Sequence, residues 1–129
     1  MIHGFEDQTH ELTDYERKEL LPLFINGLGN KIGSKKAITN KQMISALRQR
    51  RDSRDQPIKI TDSRVRKLIN HIRTNGLIEG LIANSKGYYI TNDPVELQKY
   101  LDSLQARANE IERVKESLKP YMRKLMQAS

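Results

Sequence analysis

Cysteine and tryptophan are absent from the 129 residues, and the missing thiols exclude a disulfide framework, a thiolate metal site and a cysteine nucleophile. Long apolar runs are missing as well. No stretch approaches the roughly 20 residues that a membrane helix needs, and the opening Met-Ile-His-Gly-Phe-Glu-Asp has neither the basic nor the apolar region of a signal peptide. The expectation is a soluble, cytoplasmic protein with no membrane partner. Catalytic signatures are equally scarce. His3, His10 and His71 are scattered, without carboxylates at ligand spacing, and Gly27-Leu28-Gly29 lacks the third glycine and the preceding strand of a phosphate loop. The chain is therefore read as non-enzymatic, with no metal and no cofactor. Internal repeats and low-complexity tracts are absent too, and a single domain of this length buries about two thirds of its unfolded surface without staples.

What the chain has in excess is positive charge: 23 Lys and Arg against 16 Asp and Glu, a net of +7. A basic balance speaks about partners and makes nucleic acid the first candidate. Residues 1–30 carry two basic against six acidic side chains, residues 31–75 thirteen against three, and residues 76–129 eight against seven. The excess thus belongs to the middle third, and its meaning depends on the elements that carry it.

Residues 1–11 have no periodicity and read as a poorly ordered lead-in. Thr13-Asp14-Tyr15-Glu16 matches a capping box, and Leu20, Leu21, Phe24, Ile25 and Leu28 follow at helical spacing. Pro22 inside that stretch predicts a kink or a break. A basic loop, Lys31 to Lys36, leads to Ala37-Ile38, long enough only for a small edge strand. A second capping box, Thr39-Asn40-Lys41-Gln42, opens a helix with Met43, Ile44 and Leu47 on one face. After a polar loop over Asp52 to Gln56, Pro57 to Ile60 reads as extended chain. A third helix then starts at Thr61 or Asp62, with Val65, Leu68, Ile69 and Ile72 at i, i+3, i+4 and i+7, and stops at Asn75-Gly76. Leu77 to Asn84 and Tyr88 to Thr91 are β-prone runs separated by Ser85-Lys86-Gly87, the pattern of a hairpin with glycine at a positive φ. Asp93-Pro94-Val95-Glu96 then starts a last helix. Its Leu97, Leu101, Leu104, Ala108 and Ile111 form a heptad seam that continues less regularly through Val114, Leu118, Met122 and Leu125, with Pro120 expected to interrupt it.

Three helices, the third basic and amphipathic, followed at once by a hairpin, is the element order of a winged-helix domain. Residues 61–91 resemble the stretch in which small bacterial and phage winged-helix proteins place recognition helix and wing, notably in Ser63-Arg64-Val65-Arg66-Lys67-Leu68-Ile69, Ile72-Arg73-Thr74-Asn75-Gly76 and Lys86-Gly87-Tyr88-Tyr89-Ile90. The resemblance implies a mainly α fold with a small β-hairpin (α+β), a winged helix-turn-helix over 12–92, and a C-terminal helix over 93–129 that goes beyond the basic pattern. It also implies sequence-specific binding of double-stranded DNA, with transcriptional regulation in a bacterium, phage or prophage as the use.

The geometry of the third helix supports the same reading without the resemblance. At 100° per residue its apolar side chains fill one sector, Ser63, Lys67, Asn70 and Thr74 lie opposite, Arg66 and Arg73 occupy one flank, and Arg64 and His71 the other. Long cations and an amide suit guanine acceptors, phosphate and the adenine edge. Lys86 and Tyr88 are the expected wing contacts, and Lys41, Arg54 and Lys59, with Lys35, Lys36, Arg50 and Arg51, the expected phosphate contacts. Of Tyr88 and Tyr89, strand alternation sends one into the core. The C-terminal seam points to a homodimer that would set two recognition helices on half-sites about one DNA turn apart. The competing expectations are a replication accessory protein, and a protein-interaction module that docks through the acidic N-terminal third.

Overall fold

The structure, a computed structural model, describes residues 11–128; the lead-in read over 1–11 lies outside them apart from Glu11. The first capping box forms as expected: the Thr13 hydroxyl accepts from the Glu16 N–H at 3.1 Å, and a Glu16 carboxylate oxygen accepts from the Thr13 N–H at 2.9 Å. Glu16–Leu20 then winds as a π-helical turn into helix α1, Leu21–Leu28. The Leu21 N–H reaches back five residues to the Glu16 carbonyl, and Pro22 falls in the first turn of α1. The backbone is helical ahead of it, with Leu20 at φ −97° and ψ −43°, and the wider turn just before it accommodates the proline ring. The break expected at Pro22 is therefore a change of hydrogen-bond register without a loss of helix. Leu20, Phe24 and Leu28 are buried on its inner face.

A 3₁₀ turn, Ser34–Lys36, precedes α2, Asn40–Arg48, which is capped reciprocally by Thr39 and Gln42 at 3.2 and 2.9 Å. The polar loop that follows is tied to Asp52, whose Oδ1 accepts from the Arg54 and Gln56 N–H groups. Those bonds, with the Gln56 one foremost, hold its carboxyl below the usual range. Ile58 and Ile60 bring the extended segment into the core. Helix α3, Asp62–Thr74, is capped by Thr61, and Val65, Leu68, Ile69 and Ile72 are buried against α1 and α2 in one cluster. It ends where expected, with Gly76 at φ +61°.

The hairpin pairs β1, Leu81–Asn84, with β2, Gly87–Ile90, in the register Leu81 to Ile90 and Asn84 to Gly87. The first strand starts four residues later than the β-prone run beginning at Leu77. Gly80, at φ +76°, bends the chain there, and its carbonyl accepts from the Thr91 N–H at 2.9 Å. The outer edge of β2 meets two single bridges, Ile38 opposite Tyr88 and Ile32 beside Ile90. The small edge strand expected at Ala37-Ile38 is reduced to that one antiparallel bridge. Among the described residues, the fold is thus four helices with one two-stranded antiparallel hairpin.

The chain divides into two compact units, Met1–Asn92 and Asp93–Ser129. The second is α4, Pro94–Ala128, whose start is capped by the Asp93 carboxylate accepting from the Val95 N–H at 3.0 Å. Pro120 does not interrupt it, contrary to the sequence expectation: the helix runs 35 residues, about 50 Å at 1.5 Å per residue. One proline removes a single hydrogen bond and bends a helix locally, and three turns of good helix formers before it and two after it carry the helix through.

Candidate nucleic-acid interface

Helix α3 is covered on two sides. Its apolar sector faces the core, and the flank carrying Arg64, Lys67 and His71 turns toward the π-helical turn ahead of α1. There Glu16, only 2 % exposed, accepts from Arg64 Nε at 3.0 Å and Lys67 Nζ at 2.8 Å while keeping its capping bond to Thr13. Burial alone would raise the Glu16 carboxyl. Lys67, the Thr13 N–H and Arg64 outweigh that and hold it below its ordinary value near 4.5. Arg64 also donates to the Lys59 carbonyl at 2.9 Å and lies over the Tyr15 ring, 5.2 Å from its centroid.

This arrangement corrects the expectation for Lys67. Helical angle alone sets it opposite the apolar sector, yet its side chain is only 14 % exposed and ends on Glu16. A four-carbon stem reaches across a flank to a buried carboxylate that would otherwise lack a counter-charge. Arg64, 28 % exposed, is engaged in the same way. Neither cation stands ready for a base edge. His71 is half-buried near the helix end, where its carbonyl accepts from the Asn75 amide at 2.9 Å.

The side left open carries Ser63, Arg66, Asn70, Arg73 and Thr74, all exposed, with Asp62 as its one acid. Beside it lies the hairpin. The Tyr88 hydroxyl donates to Asn40 Oδ1 at the start of α2, the Asn40 amide donates to Asp62 Oδ1 at 3.2 Å, and Asp62 Oδ2 pairs with Arg66 Nη2 at 2.8 Å. Burial raises the Tyr88 hydroxyl, and among the groups that act on it are Asn40, Arg73, Asp62 and Arg66. It stays a neutral donor at the junction of three elements. Tyr89 is the core tyrosine, 2 % exposed. Lys86 is exposed at the hairpin tip, where the Asn84 side chain accepts from its N–H at 2.9 Å. Gly87 holds φ +118°, and a Cβ there would collide with the Ile38 carbonyl.

Of the expected phosphate contacts, Lys41, Arg54 and Lys59 fall in two places, and Arg50 in a third, a pocket with Leu23, Phe24 and Met43. Lys41 is exposed next to Asn40, the residue whose amide reaches Asp62. Arg54 and Lys59 line a polar cleft with Tyr15, Lys18, Glu19 and Asp52, on the Arg64 flank. The structure thus brings Ser63, Arg66, Asn70, Arg73, Thr74 and Tyr88 together and leaves Arg64, Lys67, Arg54 and Lys59 on another face. Sequence reasoning missed Asn40 and Asp62 as members of this surface. Both sit in the first turn of a helix, where their residue types are already explained as capping residues.

Among the described residues, no group of three His, Cys, Asp or Glu side chains is arranged to hold a metal ion, and no helix is long and apolar enough to cross a membrane. Comparison with protein families, with curated proteins and with solved structures finds no match for this chain.

Proposed function

We propose that the chain is a non-enzymatic, sequence-specific double-stranded DNA-binding protein of winged helix-turn-helix type, with α2 and α3 as the helix pair, α3 as the recognition helix and the hairpin as the wing. The observation that carries this reading is the open side of α3, which joins two arginines, an amide and two hydroxyl residues to a hairpin that ends in Lys86. Such a surface supplies donors for guanine and phosphate and a bidentate amide for adenine. Transcriptional regulation in a bacterial or phage setting, in the cytoplasm, is the proposed use, with replication accessory work as its nearest variant.

The C-terminal helix supports a homodimer. Ile111, Val114, Leu118 and Met122 on α4 are each more than half exposed, and a parallel pair of such helices buries them in a seam. The rival reading, protein docking through the acidic N-terminal third, is weakened because Glu16 is spent on Arg64 and Lys67, and Glu19 on the Ser53 hydroxyl and N–H. The test is fluorescence anisotropy on random duplex over a salt series. Tight binding at low salt that falls steeply as salt rises supports the proposal; absence of binding at low salt overturns it.

A further inference from the structure

A carboxylate on a surface meant for phosphate is a liability unless it has a task. Both Asp62 oxygens are fixed, Oδ1 by the Asn40 amide at 3.2 Å and Oδ2 by Arg66 Nη2 at 2.8 Å, and Asn40 is itself fixed by the Tyr88 hydroxyl. An isolated surface ion pair orients its members weakly. Here the acid is anchored from α2, and that anchor is held from the hairpin, so three elements converge on one guanidinium. Arg66 spends one of its five donors on this contact and remains 73 % exposed.

We propose that Arg66 and Asp62 together read one G·C base pair in the major groove, with Asn40 and Tyr88 as positioning residues; this rests on the DNA-binding reading above. The guanidinium and the carboxylate stand side by side as donor and acceptor. The G·C edge presents the matching order: guanine N7 and O6 accept, and the adjacent cytosine N4 donates. Arg66 takes the two acceptors and a free lone pair of Asp62 takes the amino group. An A·T pair at the same place turns an amino donor toward Arg66 and the thymine O4 acceptor toward Asp62. The acid therefore contributes selectivity by repelling wrong edges, at some expense in affinity for phosphate.

The experiment is site selection from random duplex by the full chain, followed by affinities for the selected site and for the same site with one G·C pair exchanged for A·T. The wild type is expected to lose about ten- to a hundredfold at the pair that Arg66 contacts. Arg66→Lys keeps the charge but loses the fork, so this ratio should fall toward one. Asp62→Asn, Asn40→Ala and Tyr88→Phe should each lower the ratio, whereas damage to the fold would weaken binding to both sites alike and leave the ratio standing. An undiminished ratio in Arg66→Lys, or in both Asn40→Ala and Tyr88→Phe, overturns the inference while duplex binding stands. No binding to any duplex at low salt overturns the DNA-binding reading and this inference with it.

Discussion

Glu16 does three jobs from one position: it closes the capping box of the first helix, and it neutralises two cations of α3 from a site 2 % exposed. Its replacement by Ala should destabilise the protein by about 3 kcal/mol, the low end for a broken buried pair because Arg64 and Lys67 can still turn to water. Denaturant unfolding at neutral pH measures this. Because the folded carboxyl titrates below its ordinary value near 4.5, the unfolded chain takes up the proton first. The contribution is complete above that ordinary value and is lost as pH falls through the lowered folded one. Glu16→Gln should therefore flatten the acid limb of the stability curve, and an unchanged limb would show that Glu16 does not carry it. The capping role was legible, since Thr13 and Glu16 lie three residues apart. The ion pairs were not, because Arg64 is 48 residues away in sequence and no local period encodes which flank of α3 meets another helix. The same geometry assigns the cations. Arg73→Ala should reduce the slope of log affinity against log salt by about 1, and Lys67→Ala should leave it nearly unchanged.

At the scale of elements, hydrophobic period and caps read well where one helix has one buried face, as in α2 and α3. They misjudged the prolines. Pro22 is absorbed by a π-helical turn ahead of it and Pro120 by the length of α4, and neither device leaves a mark in residue type. The hairpin loop was legible through Gly87. The start of β1 was not, because Leu77 and Ile78 are as β-prone as the strand itself and only the positive φ of Gly80 moves the bend past them. Gly87→Val should cost about 2 kcal/mol or more from its positive φ, beyond which lies the collision with the Ile38 carbonyl. Thermal unfolding compared with Ser85→Ala, a loop change that asks nothing of φ, checks it. On α4, Ile111→Lys with Leu118→Lys should convert a dimer to a monomer in sedimentation equilibrium, since two charges would enter the seam of each copy. A wild type that sediments as a monomer at high concentration would remove the seam's proposed role.

Across the whole molecule, the net charge of +7 is a poor guide until each cation is followed to its neighbours. The basic middle third was visible in the sequence, and the fold spreads it over several faces. Arg64 and Lys67 serve the interior contact with Glu16, Arg54 and Lys59 line the cleft on that flank, and Arg66 and Arg73 remain with Asn70 on the open side of α3. Sequence pattern could name the helix but not the side, because the side depends on where the first helix lies. The most direct test of the central claim is a titration of ¹⁵N-labelled protein with duplex DNA, following amide shifts. Changes concentrated at Ser63, Arg66, Asn70, Arg73, Thr74 and the Lys86 to Tyr88 tip are the expected result. Changes confined to α1 and the Asp52 to Gln56 loop, with the open side of α3 silent, would contradict it.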